Sequence, residues 1–306
     1  MKVTDSKIGK IMFIEGPEQS IEEVQKICSM LDTTLDFSFI IRSFDDVSRL
    51  FSGNYKGFQA CNTKYHDLNH TIDVFIAVAR LIHGIVISGK QLSHQGIILG
   101  LIAALFHDAG FIQTIDDTEG TGAKYTIGHE ERSIEFINHY LSDKGYSSEA
   151  INDCGHMIAC TILRKSLREI PFRTEEVKVL GQIVGTADLL AQMADRNYLE
   201  KLLFLYKEFE EAKMPGFDSE LELLKKTEAF YRDLSKKRMN EELGGVDSFM
   251  YLHFKNRWRV DLDLYQVYAR KNIAYLKAIL RTFDDDYRQM LRRAGVVEKL
   301  HRPLDT

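Results

Sequence analysis

The chain has 306 residues, 44% of them hydrophobic and 28% charged, with a formal net charge of −5. That is ordinary globular composition at a length able to bury a sizeable core, and the acidic balance offers no global basic field to nucleic acid. Four cysteines, at 28, 61, 154 and 160, form no CxxC pair, and the expectation is reduced thiols in a cytoplasmic protein.

Apolar residues recur mostly at helical spacing and strict alternation is rare, so the pattern predicts an all-α protein. The N-terminal MKVTDSKIGKIMFIEG has too short an apolar run for a secretory signal. Residues 10–16, KIMFIEG, suit a short strand, and residues 18–31 and 45–51 suit short helices. Residues 70–87 carry apolar positions at Ile72, Phe75, Ile76, Ala79, Leu81 and Ile82, and 91–106 reads as a more buried helix ended or bent by Gly110. Its apolar stretch IILGLIAALF is too short to span a bilayer, and no membrane association is expected.

Residues 114–125 are polar, Gly-containing and weakly periodic, which predicts a loop. Thr126 and Gly128 open a helix carrying His129, and Gly145 stops it; Ser147 or Ser148 caps the next, which carries His156. A basic connection at 163–173 leads into a long helix over 175–194, with Asp188 among Val177, Leu180, Ile183, Val184 and Leu190. Amphipathic helices are expected at 198–213, 220–238 and 262–283, punctuated by Pro215-Gly216 and Gly244-Gly245. The aromatic run 249–258 fits core or interface better than a wall for stacking bases. One domain is expected, with the alternative of a separate C-terminal module from about residue 200.

The chemistry lies in imidazoles and carboxylates set in apolar helical surroundings: His66, His70, His107, Asp108, His129, His156 and Asp188. A bare charge or unpaired imidazole is costly there. Neutral imidazole nitrogen with carboxylate oxygen suits Zn, Fe, Mn or Ni. Taken alone, His129 near a helix start or His156 on an apolar face would be unremarkable. Asp188 within a core helix needs either a metal or a buried arginine. His66 and His70 stand four apart and would share a face if helical. Asp73 and Glu130 are candidates to orient these ligands. Arg164 and Lys165, with Arg168 and Arg173, read as a solvated loop or as contacts to substrate phosphate. His83, His94, His139, His253 and His301 are read as ordinary polar or half-buried residues.

Three motifs stand in order: YHDLNHTIDV at 65–74, LIAALFHDAGF at 101–111 and TADLL at 186–190. Together they resemble the HD-domain metal-dependent phosphohydrolases, in their cyclic-nucleotide phosphodiesterase-like branch, over about residues 60–195. The resemblance implies an all-α fold with a bimetal centre, its ions drawn from Fe, Mn, Zn, Ni or Mg. By position, His70, His107, Asp108 and Asp188 match the ligands of the tightly held ion, with Asp108 bridging to a second ion. His66 matches the histidine that protonates the leaving oxygen. Asp67 stands where the phosphodiesterases have Asn, and HDAGF lacks their later His; His129 and His156 match the extra histidines of bacterial HD hydrolases. The implied activity is hydrolysis of a small nucleotide-type phosphodiester by a metal-bridged hydroxide. The alternatives are a nucleotidase or phosphomonoesterase of the same class, and a non-catalytic nucleotide sensor on the same fold.

Overall fold

The computed structural model describes residues 5–282 and 287–293; the expected end of the last long helix at Phe283, and His301, lie outside them. Among the described residues the chain is all-α: helices linked by short 3-10 turns, with only isolated bridges Ser52↔Ala60 and Phe58↔Thr114 and no strand. The segment expected as a strand is helical as far as Met12, in α1 (Asp5–Met12). Ile8, Ile11 and Met12 fall at i, i+3 and i+4, which puts one apolar edge on the core. The guanidinium of Arg80 then donates to the carbonyls of Ile11 and Met12, capping that helix's C-terminus.

Helix α2 (Pro17–Leu31) follows, and α3 (Ser38–Phe51) begins about two turns before the expected start. Asp36 accepts the Ser38 backbone N–H, and Ile40, Phe44 and Val47 continue the buried stripe upstream of residue 45. The centre of the molecule is α4 (Leu68–Ile87), which packs against α2, against α5 (His94–Phe106), and against α8 (Glu175–Ala194). Length and composition would let α4 cross a membrane, but 83% of its apolar window is buried inside the bundle.

Helices α6 (His129–Asp143) and α7 (Ser148–Ile158) close one side, with Ser147 as the α7 cap. The C-terminal helices α9 (Tyr198–Glu211), α10 (Glu220–Asp233), α11 (Phe249–Trp258) and α12 (Leu264–Thr282) pack back on α4, α8 and one another. Most of their buried apolar residues belong to the same core cluster as those of the N-terminal part. The helix expected over 220–238 changes pitch at Leu234, where a π segment runs to Glu242. That wider turn brings Arg238 onto the carbonyls of Cys160, Ile162 and Lys165, and Glu242 onto the Leu167 N–H.

Candidate metal centre

Three packed helices bring four donor residues together. His70 lies in the first turn of α4, where the N-cap Asp67 accepts the His70 backbone N–H at 2.9 Å. This capping role accounts for a carboxylate at position 67. It also starts the helix after His66, so His66 and His70 do not share a helical face as expected. His107 terminates α5, and Asp108 heads the 3-10 turn Ala109–Phe111. Asp188 comes from the buried middle of α8. The glycine after this pair is required for a specific reason: a Cβ on Gly110 would sit 1.9 Å from the His129 carbonyl oxygen. Only glycine lets the turn carrying Asp108 approach the start of α6.

His70 Nε2 is 3.1 Å from Asp188 Oδ1, 3.4 Å from His107 Nε2 and 3.5 Å from Asp108 Oδ2. His107 Nε2 is 3.3 Å from Asp108 Oδ2 and 3.7 Å from Asp188 Oδ1. Donors about 2.0–2.1 Å from a common ion would be separated by about 2.8–3.4 Å in octahedral or tetrahedral geometry. The spacing therefore fits an ion, and the buried group His70, His107 and Asp108 could hold one. Among the described residues, buried Asp108 Oδ2 has no hydrogen-bond partner, an expensive state for a carboxylate oxygen that an ion would relieve.

The imidazoles are prepared as ligands by what holds their other nitrogen. His107 Nδ1–H donates to the Ala104 carbonyl at 2.8 Å, and His129 Nδ1–H to the Thr126 carbonyl at 3.0 Å. A carbonyl can only accept, so Nδ1 carries the proton and, in the neutral ring, the lone pair lies on Nε2. His129 Nε2 lies 3.5 Å from Asp108 Oδ1, the oxygen opposite the one facing His70 and His107. Asp108 thus addresses two sets of donors.

Burial opposes charge throughout the site, and local partners decide each outcome. Burial pulls the His107 pKa down, but Asp108 and Asp188 lift it to about 9. Burial pushes Asp108 up, yet His107, His66 and His70 hold it well below the usual carboxylate range, and His70 and His107 likewise hold Asp188 down. His129 drops to about 4 because burial outweighs the attraction of Asp108.

His66 lies outside the four-donor cluster, its ring centroid 6.1 Å from that of His70 and 5.8 Å from that of His129. Its Nδ1–H donates to Glu208 Oε2 at 2.7 Å. Glu208 Oε1 accepts the backbone N–H groups of Lys64 and Tyr65 at 2.9 and 2.7 Å. Burial lowers the His66 pKa, but Glu208, backed by Asp108 and Asp188, leaves it above the ordinary value. Phe111 stacks on both His66 and His129, with centroids 4.3 and 4.2 Å away.

Glu208 was not among the residues expected from sequence. The available signal was its position four residues after Phe204, on the buried face of α9, where a solvated glutamate would not belong. Gln192, which donates to Asp188 at 2.8 Å, was missed as well.

The remaining expected residues are placed differently. His156 makes no hydrogen bond, ion pair or ring contact with the cluster among the described residues. Its ring meets Phe172, and the charges acting on it are Asp153 and Lys165. Asp73 orients none of the imidazoles; three positions beyond His70 it faces Asp195 and Lys201, and burial followed by repulsion from Asp195 raises it to about 7. Glu130 does reach the site, with Oε2 at 3.3 Å from His129 Nδ1, and burial raises it to about 7. Arg164 is exposed, and Lys165 is held through its backbone carbonyl by Arg238. Arg173 pairs with the buried Asp153. None of the three contacts the cluster.

A model of the Npun_R2479-like family matches residues 54–248. The chain belongs to the Npun_R2479-like family. No curated protein and no solved structure matches it. In this Npun_R2479-like chain the matched stretch begins ahead of Tyr65 and His66 and ends beyond Glu208. It therefore contains the donor cluster, the histidine beside it, and the glutamate that holds that histidine.

Proposed function

We propose that the protein is a metal-dependent phosphohydrolase that cleaves a small, nucleotide-type phosphodiester. The observation that carries this reading is the His66–Glu208 pair standing beside four convergent metal-type donors. His70, His107, Asp108 and Asp188 would hold one divalent ion; Asp108 and His129 would contribute to a second. Such ions supply Lewis acidity toward phosphoryl oxygens and lower the pKa of coordinated water.

The chain's own residues account for the leaving group. Glu208 fixes the His66 ring through Nδ1 and favours its protonated form, so Nε2–H is the proton available to the site. His66 donates it to the leaving alkoxide as the P–O bond breaks. Phe111 packs flat on both imidazoles, limiting their rotation and excluding water from that side. An alkoxide leaves from a diester and from an alkyl monoester alike, so this proton serves both, and the choice between them lies at the other end of the pocket. A monoesterase needs a cationic pocket end, and the basic side chains of 163–173 make no contact with the cluster, which favours a diester.

The test is elemental analysis of the purified protein, followed by turnover of bis(p-nitrophenyl) phosphate, p-nitrophenyl phosphate, cyclic nucleotides and cyclic dinucleotides with Mn²⁺, Zn²⁺ or Fe²⁺. Bound divalent metal and preference for diesters are expected. Monoesters turned over faster than diesters would move the assignment to a nucleotidase. Nucleotide binding without turnover at any metal loading would make the protein a sensor.

A further inference from the structure

Asp188 is held from behind. Gln192 lies one turn later on α8, and its Nε2–H donates to Asp188 Oδ1 at 2.8 Å. The Tyr65 hydroxyl donates to Gln192 Oε1 at 2.9 Å. The polarity of this chain follows from Asp188. An ionised carboxylate only accepts, so the Gln192 amide must present its nitrogen to Asp188 and its oxygen to Tyr65, and the hydroxyl must then donate. Tyr65 is itself immobilised: it is 4% exposed, and its backbone N–H donates to Glu208 Oε1 at 2.7 Å. One residue therefore holds both arms of the site, the proton donor through its backbone and a metal-type donor through its side chain.

We propose that Tyr65 and Gln192 form a positioning relay that orients Asp188 for metal binding, with Tyr65 acting only through Gln192. The proposal rests on the metal-centre reading above. Among the described residues, the only hydrogen-bond partner left to Asp188 Oδ1 without Gln192 is His70 Nε2, at 3.1 Å. The two groups would then pair with each other, and an ion would have to separate them.

Outer hydrogen-bond partners of metal ligands are usually worth about 10- to 100-fold in affinity. Gln192→Ala should weaken Mn²⁺ or Zn²⁺ binding by that amount, measured by calorimetric titration of metal-stripped full-length protein, with little change in metal-free melting temperature. Tyr65→Phe removes one oxygen, keeps the ring, and should weaken binding by about 3- to 10-fold. The deciding measurement is the double variant. If Tyr65 acts through Gln192, Tyr65→Phe should have no further effect once Gln192 is alanine. Independent, multiplicative losses would overturn the relay, as would wild-type affinity in both single variants. Should Gln192→Ala not fold, wild-type affinity in Tyr65→Phe alone would still refute the relay. A wild-type protein that binds neither ion would instead refute the metal centre, and the relay with it.

Discussion

The molecule buries two groups of histidines, and their surroundings differ in sign. At the candidate centre, His70 and His107 face Asp108 and Asp188, and His107 is lifted to about 9. On the seam between α4 and α11, His83 and His253 lie with ring centroids 4.9 Å apart, 1% and 0% exposed. Arg80 and Arg257 act on them from the same two helices; Glu23 of α2 is paired with Arg257, and Tyr265 of α12 with Arg80. There burial, reinforced by Arg257, takes His83 down to about 4; burial, reinforced by Arg80, His83 and Arg257, holds His253 well below its ordinary value. Among the described residues, His83 Nδ1 and both ring nitrogens of His253 have no hydrogen-bond partner, whereas at the centre the orphan is a carboxylate oxygen. Burial alone therefore does not make a metal site. The sign of the neighbouring charge decides whether buried imidazoles gather a cation or simply remain neutral.

The strongest way to break the comparison is at Asp108. Asp108→Ala removes the carboxylate whose two oxygens face different donors, so it should abolish turnover and most bound metal. Elemental analysis and a diesterase assay check it, and two retained ions with normal turnover would refute the assignment. Next comes His66→Ala, which should keep the metal and lose about 10²- to 10⁴-fold in kcat, the usual worth of one positioned general acid. The loss should be greatest for poor leaving groups and shrink for p-nitrophenyl esters; an emptied metal site would make His66 a ligand.

Glu208→Gln is expected to have a smaller effect, about 10- to 100-fold in kcat with metal content unchanged. Its signature lies in the pH profile. A general acid works only while protonated, and Glu208 raises the His66 pKa, so the alkaline limb should move to lower pH in the variant. An unmoved limb would argue that Glu208 only packs.

The smallest effect belongs to the seam. Because the folded-state pKa of His83 is about 4, against an ordinary value of 6.5, the stability it contributes is fully present above pH 6.5 and lost as pH falls toward 4. His253 is held below its ordinary value in the same sense, so His253→Phe removes one such acid-sensitive contribution: the melting temperature near neutral pH should change little, and its fall between pH 7 and 5 should be shallower than in the wild type. Parallel melting curves across that range would remove the seam from the acid response.

Much of the fold was legible because its signals are local. Asp188 in the apolar periodicity of α8 and the His107-Asp108 pair at the end of α5 announced buried polar groups, and the Ser147-Ser148 pair announced the start of α7, with Ser147 as its cap. The N-terminal helix was misread because a short apolar run suits strand or helix equally; packing of Ile8, Ile11 and Met12, with Arg80 as a cap, decided it. His83 and His253 looked ordinary because the sequence does not show that α11 lies on α4. Asp73 was misplaced for the same reason: spacing along α4 gives a direction around the helix but not which helix faces it.

The sequence by itself determined that the chain is all-α, where most of its helices and caps lie, and which side chains would be costly in a core without a partner. Hydrophobic period, caps and glycine stops act within a few residues, so they survive in a linear reading. Only the tertiary structure decided the partners. It set Glu208 of α9 against His66, Gln192 and Tyr65 behind Asp188, and left His156, Arg164 and Lys165 outside the cluster's contacts. A hydrogen bond between residues more than a hundred positions apart depends on how helices pack, and helix packing depends on the whole set of side chains at each contact.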